Sequence, residues 1–489
     1  MQHDYYIILG ISRVATPQEI RTAYFEAARK LHPDTNPNPD AQEDFLLLQQ
    51  AYEVLSSVHK RAEYNADLSK NRVQPELEVG VRYSQKVVPM IHEAQLYYVL
   101  LDIKSTTTRE MAVTPPIQLC VVVDCSTSMQ GARIEMVKAT LHNVLKSMRK
   151  EDIFSVVAFS DWAEVIVPPT KIKEITQIGR QIDLLSIKGS TEIFKGLEMG
   201  LSQLRNNIFS SKARFLILIT DGHTYGDEEK CYDLVKDASE QGIIVTGLGI
   251  GNDWNDAFLD KLTSLANGNV IYARTPKELA LYLEEKIISI GSLYARNLAF
   301  RYSSDSEVEL NYVFRLTPEP GPITLANPLK IGNLGYGDPI QLLFEFFIKN
   351  LPEDKKKIHL IKGRLHADLA SGNASAGLNI NFTKSVAFNP NFELPPIEII
   401  NALSKLTIFR MQEKARLEVE RDDFQNAIKH LQFVATRLLS RGNQNLAQQV
   451  LIEAENVRQS HQFSQEGQKQ VKYGTRALLL PSGKRSKLE

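Results

Sequence analysis

Apolar residues in the first 70 positions recur at helical spacing and predict an all-helical domain over residues 1–70. Thr16 is placed to cap the first helix, Pro17 has the fixed φ that suits the first helical position, and Glu19 can bond back to the cap. Two such helices are expected to pack as a hairpin through one apolar face each. The two faces comprise Ile20, Tyr24, Ala27, Leu31, Phe45, Leu48, Tyr52 and Leu55.

Further along the chain, the pattern alternates between strands and helices. Continuous apolar runs, typical of strands that are buried on both faces, occur at residues 117–124, 153–159, 215–221 and 243–250. Helical patterns lie near residues 134–148, 191–204, 227–241 and 256–266. This order predicts an α/β domain with a doubly wound, Rossmann-like and mostly parallel sheet over residues 114–290.

Shorter strands punctuated by proline and glycine flank this α/β domain and predict a β-sandwich. They lie at residues 77–81, 96–101, 308–315, 340–348, 358–369 and 378–388. We assign the sandwich to residues 291–393 and expect the strands of residues 71–113 to pair with it, so that the α/β domain is an insertion. A helical segment over residues 394–465, broken at Gly442, and a flexible basic tail over residues 466–489 complete the predicted multidomain chain.

The composition narrows the function classes. The chain has 489 residues, 43% hydrophobic and 24% charged, as in an ordinary globular protein. Lys plus Arg total 57 and Asp plus Glu total 58, so the net charge of -1 argues against nucleic-acid binding. No apolar run predicts a membrane span, and no signal peptide is recognised. The cysteines, Cys120, Cys125 and Cys231, form no C-x-x-C pair, and we expect a reducing, cytoplasmic location.

A three-residue motif separates the first two predicted helices. His32, Pro33 and Asp34 place an imidazole, a rigid ring and a carboxylate in one loop. Three basic residues lie on the helix that leads into this loop: Arg21, Arg29 and Lys30. Alone, the motif would be interpreted as a helix terminator with incidental polar groups. The surrounding order of residues, however, resembles the J-domain of DnaJ-type co-chaperones across residues 3–66.

This resemblance implies a function for the N-terminal domain. J-domains dock on a DnaK-type heat-shock chaperone and stimulate its ATP hydrolysis, the basic helix steering the encounter and the His-Pro-Asp loop engaging the chaperone. The sequence departs from the family pattern at Phe25 and Glu26, where basic residues are usual, and at Asn65, where Asp is usual. No Gly/Phe-rich linker or cysteine-rich zinc module follows, which favours a dedicated adaptor over a general chaperone.

Oxygen-bearing side chains follow the strands of the predicted parallel sheet. Asp124, Ser126 and Ser128 come at the end of the first apolar strand, Thr191 lies in a distant loop, and Asp221 ends another apolar strand. In doubly wound sheets ligands bind at the carboxyl ends of strands, and hard cations such as Mg2+ prefer oxygen donors. The structural alternative is that the serines and threonine only cap the next helix.

This set of residues, in this order, resembles the metal-ion-dependent adhesion site of von Willebrand factor type A domains over residues 114–290. The resemblance implies that Ser126, Ser128 and Thr191 face a Mg2+ ion, or another divalent cation such as Mn2+ or Ca2+. Asp124 and Asp221 would act directly or through water. A carboxylate from a partner protein would then complete the metal's shell.

Three functions remain open from the sequence. The leading hypothesis is a non-enzymatic adaptor that holds a protein partner through its metal site and tethers a DnaK-type ATPase through its J-domain. The second is a phosphatase of the haloacid dehalogenase type with Asp124 as nucleophile, although that class wants a second Asp where Ser126 stands. The third is a scaffold whose J-domain is degenerate.

Overall fold

Contacts within the chain of this computed structural model divide it into two units. One unit comprises residues 1–74, 113–293 and 368–376, and the other comprises residues 75–112, 294–367 and 377–489. The structure describes the whole chain except residues 1–4, 10, 12–14, 32–40, 71–76, 107–115, 174, 206–212, 223–225, 252–253, 267, 274–277, 279–280, 284–285, 287–288, 290–291, 370–374, 392 and 478–489.

The N-terminal domain is helical, as predicted. Its helices are α1 (Tyr5–Ile8), α2 (Pro17–Leu31), α3 (Ala41–Ser56) and α4 (Val58–Lys70). The predicted cap of α2 is confirmed, because the Thr16 N–H donates to Glu19 Oε2 at 2.5 Å and the Glu19 N–H donates to Thr16 Oγ1 at 3.3 Å. Between α2 and α3, the rings of Tyr24 and Tyr52 stack with centroids 4.1 Å apart, which confirms the helical hairpin.

Three strands come next in the chain and belong to the second unit. They are β1 (Leu77–Tyr83), β2 (Val88–Pro89) and β3 (Gln95–Ser105). β1 pairs antiparallel with β3, with Leu77 opposite Ser105 and Tyr83 opposite Val99. The buried residues of β3 alternate with more exposed ones at both ends of the strand, as expected for a sheet with one face towards a core.

The α/β domain is built on six strands. They are β4 (Ile117–Asp124), β5 (Ile153–Phe159), β6 (Ala163–Lys171), β7 (Ala213–Thr220), β8 (Ile243–Ile250) and β9 (Val270–Ala273). Their order in the sheet is β6-β5-β4-β7-β8-β9, all parallel except β6. All residues of β4, β5 and β8 are buried, which explains their continuous apolar runs. The doubly wound sheet is therefore confirmed.

Helices α5 to α9 accompany this sheet. They are α5 (Ala132–Ser147), α6 (Ile175–Asp183), α7 (Ile193–Arg205), α8 (Glu228–Glu240) and α9 (Asp256–Leu265). The sequence did not predict β6, β9 or α6. β6 is an antiparallel edge strand that contains Pro168 and Pro169, and prolines are tolerated only at such edges. β9 has only four residues, too few for a recognisable period.

The second unit contains two five-stranded sheets. The later strands are β10 (Leu293–Ser303), β11 (Val308–Thr317), β12 (Gly321–Pro322), β13 (Leu329–Gly335), β14 (Ile340–Ile348), β15 (Lys357–Leu369) and β16 (Ser375–Ala387). The sheet orders are β1-β3-β14-β11-β12 and β13-β10-β15-β16-β2. β3 pairs antiparallel with β14, Gln95 opposite Ile348, so strands from both sides of the α/β domain share one sheet.

The C-terminal region contains four helices. They are α10 (Ile397–Glu420), α11 (Phe424–Leu439), α12 (Gln444–Ser460) and α13 (Gln465–Ala477). The predicted break at Gly442 is confirmed, since this residue lies between α11 and α12 with φ +78°. The prediction of a flexible tail from residue 466 is wrong as far as residue 477. The segment is polar, but α13 buries Val471 together with Lys469 and Lys472, whose aliphatic stems pack while their charge hides the helix from an apolar pattern.

Candidate functional site

The candidate site lies at the carboxyl ends of two neighbouring parallel strands. β4 ends at Asp124, and Asp221 directly follows β7, which ends at Thr220. β4 and β7 pair in parallel through residues 117–123, so their ends meet at one edge of the sheet. β5 and β6 lie on one side of β4 in the sheet, and β7, β8 and β9 lie on the other, so the strand order reverses between β4 and β7. Ligands of doubly wound sheets bind at such a switch point.

Asp124 is fully buried and both of its carboxylate oxygens accept hydrogen bonds. The Ser126 N–H donates to Oδ1 at 2.9 Å, and the Thr220 hydroxyl donates to Oδ2 at 2.6 Å. Burial raises the pKa of Asp124, the hydrogen bonds from Thr220 and Ser126 oppose this, and the charge of Asp221 adds to the rise. Asp124 is therefore a rigidly held carboxylate in a site that disfavours its negative charge.

A second chain of hydrogen bonds links the serines to Asp221. The hydroxyls of Ser126 and Ser128 share a hydrogen bond of 2.9 Å, and Ser128 Oγ donates to Asp221 Oδ1 at 2.6 Å. Arg133, in the first turn of α5, forms an ion pair with Asp221 Oδ2 and donates to the Ser128 carbonyl at 3.2 Å. The guanidinium thus sits at the edge of the oxygen cluster.

The loop that carries Thr191 is fixed to the turn after β4. The Lys188 N–H donates to the Cys125 carbonyl at 2.7 Å, and the Thr127 N–H donates to the Gly189 carbonyl at 3.2 Å. A Cβ atom on Gly222 would lie 3.4 Å from Thr191 Oγ1 and 3.8 Å from Asp124 Oδ2. The Thr191 hydroxyl and the Asp124 carboxylate therefore both face the same glycine.

The structure thus brings the five predicted site residues to one edge of the sheet. Hydrogen bonds link Ser126 to Asp124, and link Ser126 through Ser128 to Asp221. Thr191 lies beside Asp124. Sequence reasoning missed Thr220 and Arg133. Thr220 had a signal, since it is the last residue of the apolar strand before Asp221, whereas nothing in the local pattern marks Arg133.

The donor set is composed of oxygen atoms. It combines two carboxylates with hydroxyls, which suits a hard divalent cation better than a soft one. Among the residues that the structure describes, no group of three or more His, Cys, Asp or Glu side chains is arranged to hold a metal ion. A metal at this edge would therefore depend on the serine and threonine hydroxyls.

The geometry does not suit a nucleophilic Asp124. A nucleophile needs a free oxygen that a substrate can reach, but Asp124 is 0% exposed and both oxygens already accept hydrogen bonds. The neighbouring Cys125 is also buried, and burial raises the pKa of its thiol to about 12, far from a thiolate at neutral pH.

The structure describes only some of the predicted chaperone-docking residues of the J-domain. His32, Pro33 and Asp34 lie outside the described residues, and the side chain of Lys30 is not described either. Arg21 and Arg29 are exposed on α2, and the Arg21 guanidinium lies 5.8 Å from the ring centroid of Phe25. Arg21 and Arg29 thus present positive charge on an exposed helix face.

Asn65, where the J-domain pattern has an aspartate, keeps a hydrogen-bond role. Its side-chain oxygen accepts from the Tyr6 hydroxyl at 2.9 Å. Arg61 Nε donates to the same hydroxyl at 2.9 Å, and Arg61 also donates to the Ala15 carbonyl at 2.8 Å. The amide thus preserves the acceptor that this network needs, without a formal charge.

Comparison with known families gives the class of protein. Residues 4–65 match the family model of the DnaJ domain, residues 118–285 match that of the von Willebrand factor type A domain, and residues 397–481 match the Sll0103-like, C-terminal alpha-helical domain. The chain therefore carries a J-domain and a von Willebrand factor type A domain, and the resemblance to these two domain families is confirmed.

Individual relatives cover different parts of the chain. The uncharacterized protein sll0103 of Synechocystis is 26% identical over 65% of this chain and 78% of its own length. Chaperone protein DnaJ 1 of Aquifex aeolicus is 51% identical, but over only 14% of this chain. The chain spans 19% of that chaperone's length, so this similarity concerns the J-domain alone.

Solved structures share the fold at low sequence identity. A von Willebrand factor type A protein from Catenulispora acidiphila matches 83% of this chain and 97% of its own with a TM-score of 0.66 at 14% identity. The ArnB paralog VWA2 from Sulfolobus acidocaldarius matches 83% of this chain with a TM-score of 0.53 at 15% identity. This coverage exceeds residues 118–285, so the shared fold includes elements outside the type A domain.

Proposed function

We propose that this chain is a non-enzymatic adaptor. Its J-domain recruits a DnaK-type chaperone and stimulates its ATPase, while its type A domain binds a protein partner through a divalent metal. The metal would be held by the hydroxyls of Ser126, Ser128 and Thr191, with Asp124 and Asp221 acting directly or through water. The observation that carries the proposal is the convergence of these oxygen-bearing side chains at the ends of β4 and β7.

The residues present fit a divalent cation. Among the described residues, Asp124 accepts hydrogen bonds from neutral donors only, and its negative charge is disfavoured there, so a cation nearby would relieve the cost of its burial. Ser128 Oγ donates to Asp221 and accepts from Ser126 Oγ at 2.9 Å, so both lone pairs of Ser126 Oγ and one lone pair of Ser128 Oγ are left for a cation. When bound, the cation would supply an open coordination position for a partner's carboxylate.

The protein's own contribution is to hold the oxygens in place. Thr220 and the Ser126 N–H fix the Asp124 carboxylate, while the Ser128 hydroxyl fixes that of Asp221. Outer groups of this kind orient metal ligands and raise affinity in known metal sites. The positive charge of Arg133 beside the site would also attract an acidic partner residue.

An exposed aromatic residue supports a partner surface near this edge. Trp162, in the turn between β5 and β6, is 48% exposed, and Lys188 lies 5.7 Å from its ring centroid. The Glu192 N–H donates to the Ser160 carbonyl at 2.9 Å, so the Trp162 turn is joined to the loop that carries Thr191. Tryptophan is enriched among the residues that dominate binding energy in interfaces.

The N-terminal half of the proposal is supported by the exposed cations of α2. Arg21 and Arg29 lie on the solvent face of this helix, and charges on such faces speed the encounter with an acidic partner surface. Glu26 is exposed on the same helix and reduces the positive charge there, so tethering through the type A domain would compensate for weaker docking.

The test of the metal bridge is affinity capture with the full chain as bait. We expect partner proteins to be retained in Mg2+ and released by EDTA, and to be absent from the Asp124→Ala bait. Asp233→Ala, which removes an exposed carboxylate from the same domain, is the matched control and should retain them. A partner list that neither EDTA nor Asp124→Ala alters would contradict the metal bridge, provided that both variants keep the wild-type melting temperature.

The test of the J-domain is the steady-state ATPase of a DnaK-type chaperone with the full chain added. We expect stimulation by the wild type and its loss in His32→Gln. Absence of stimulation by a folded wild-type chain would favour the scaffold with a degenerate J-domain instead.

A further inference from the structure

A concave surface on the second unit has a chemistry that the adaptor function does not use. It has a volume of about 620 Å3 and lies on the outward face of the sheet that contains β10, β15 and β16. We call it the basic groove and define it by six of its lining residues: Arg301, Lys362, Arg364, His366, Asn379 and Asn381.

The alternation of the strands explains why these side chains share a face. On β15, Ile361 and Leu365 are buried in the core, whereas Lys362, Arg364 and His366 occupy the intervening positions. On β16, Ile380 and Phe382 are buried and flank Asn381. Side chains two positions apart lie on one side of a strand, so the sheet presents its cations and amides together.

Three of these cations lack a protein counter-charge. Among the residues that the structure describes, Arg301, Lys362 and Arg364 make no ion pair, and no Asp or Glu lines the groove. Lys355, which precedes β15 in the chain, differs from them, since it pairs with Asp305 at 3.3 Å and with Glu307 at 3.0 Å. Like charges that lie close together without a counter-charge repel each other and destabilise the fold. Destabilising arrangements of this kind are concentrated at functional sites.

The position of Arg364 depends on a glycine of the neighbouring strand. A Cβ on Gly377 would lie 2.8 Å from Arg364 Nε, so the guanidinium occupies the space that the absent side chain leaves on β16. Arg364 Nε is buried and has no hydrogen-bond partner among the described residues. The guanidinium is thus held against the sheet and is not extended into solvent, which lowers the entropy cost of binding a ligand.

The amide groups of the groove divide into two roles. Asn327 Nδ2 donates to the Tyr302 carbonyl at 2.8 Å, and the Tyr302 N–H donates back to Asn327 Oδ1 at 3.3 Å, so Asn327 closes one side of the groove. The side chains of Asn379 and Asn381 are exposed and make no hydrogen bond to another described side chain or backbone group. They remain available to the polar part of a ligand.

We propose that the basic groove binds a small molecule that bears a phosphate or diphosphate group. Arg301, Lys362 and Arg364 hold the anion, and Asn379 and Asn381 bind the polar remainder. Arg301 lies on β10, and Lys362 and Arg364 lie on the neighbouring β15, about 4.8 Å away, so their donors can reach the oxygens of a tetrahedral anion from more than one direction.

The test is isothermal titration calorimetry of the full chain with inorganic pyrophosphate, ADP and citrate. EDTA is present throughout, so that no metal at the Asp124 site can bridge to the phosphates. We expect pyrophosphate or ADP to bind and citrate to bind at least about tenfold more weakly. The Arg301→Ala, Lys362→Ala double variant should weaken phosphate binding by about 100-fold, roughly tenfold for each charge removed. Arg301 and Lys362 are exposed, so the fold should persist.

Lys357→Ala is the matched control, because it removes an exposed cation from β15 that does not line the groove. It should change the dissociation constant by less than about twofold. The proposal is overturned if the wild type binds neither phosphate ligand or if citrate binds as tightly as pyrophosphate. It is also overturned if Lys357→Ala weakens binding as much as the double variant does. Lys362→Arg should restore most of the affinity that Lys362→Ala loses, which a merely structural role would not require.

Discussion

Two buried carboxylates, one in each unit, differ in what surrounds them. Asp124 at the end of β4 is 0% exposed, and Glu345 within β14 is 3% exposed. Glu345 accepts hydrogen bonds from Arg410 at 2.8 and 3.2 Å, and another from Asn311 at 2.6 Å. Among the described residues, Asp124 accepts hydrogen bonds only from neutral donors.

The pKa of each group reflects this difference. Burial raises the pKa of both carboxyls, but at Glu345 the hydrogen bonds and charge of Arg410 outweigh burial, so its pKa lies below the ordinary value. At Asp124 burial dominates, and the pKa stays raised. The charge of a buried carboxylate that pairs with an arginine is already compensated within the protein. A buried carboxylate without such a partner would be stabilised by a bound metal cation. This contrast supports the proposed metal role of Asp124.

The largest effect is expected at Asp124. Asp124→Asn removes the charge that a divalent cation would neutralise, and it should weaken Mn2+ binding by more than about 100-fold, since even outer-shell changes cost 10–100-fold in metal sites. Titration calorimetry with Mn2+ measures this affinity. Asp233→Asn should leave it unchanged. Equal Mn2+ affinity in a folded Asp124→Asn variant would show that the cation, if one binds, lies elsewhere.

The second effect concerns stability and not metal binding. Glu345→Ala leaves Arg410 without its carboxylate, but the Arg410 side chain is 36% exposed and reaches water, so the free energy of unfolding should fall by about 1–3 kcal/mol. Urea denaturation measures this change, which should be the same in Mg2+ and in EDTA. Lys349→Ala breaks the exposed pair with Glu309 and should cost about 0–1 kcal/mol. If Glu345→Ala lowered the free energy of unfolding by no more than Lys349→Ala does, the structural role of the Glu345–Arg410 pair would be contradicted.

The sequence predicted features that depend on neighbouring positions. The cap formed by Thr16 and Glu19 lies within four residues, and the motif of Asp124, Ser126 and Ser128 lies within one turn. The buried strands were recognised from their continuous apolar runs. These signals sufficed for the type A fold and for the meeting of the five predicted site residues at one edge of the sheet, because the topology of a parallel sheet brings the strand ends together.

The missed features depend on residues that are distant in the chain. Glu345 and Arg410 are 65 positions apart, and no pattern in either segment marks them as partners. The basic groove likewise requires β10, which was not predicted, beside β15. Helix α13 was missed because its buried positions include the stems of Lys469 and Lys472. These features therefore depend on tertiary packing and could not be predicted from the local pattern of polar and apolar residues.

The third prediction uses pH to test the ion pair of Glu345. The folded pKa of Glu345 is lowered from 4.5, so its ion pair contributes stability above pH 4.5 that is lost as the pH falls through the folded pKa. Glu345→Gln should therefore be less stable than the wild type at pH 7 and should approach it in acid. Thermal unfolding between pH 7 and 3 measures the difference. A stability difference that stays constant over this range would contradict the lowered pKa.

The smallest effect is expected at Arg133, whose guanidinium pairs with Asp221 at the proposed metal site. Arg133→Gln removes a positive charge beside the oxygen cluster and releases Asp221 Oδ2, so Mn2+ affinity should rise about threefold to tenfold. Lys138→Gln is the control, because Lys138 lies on the same helix but pairs with Glu135 at 3.1 Å. It should alter the affinity by less than about twofold. Weaker Mn2+ binding in Arg133→Gln would instead mean that Arg133 positions Asp221 for the metal. A nearby arginine would then be compatible with metal binding at Asp221, and the argument from a missing arginine would apply to Asp124 alone.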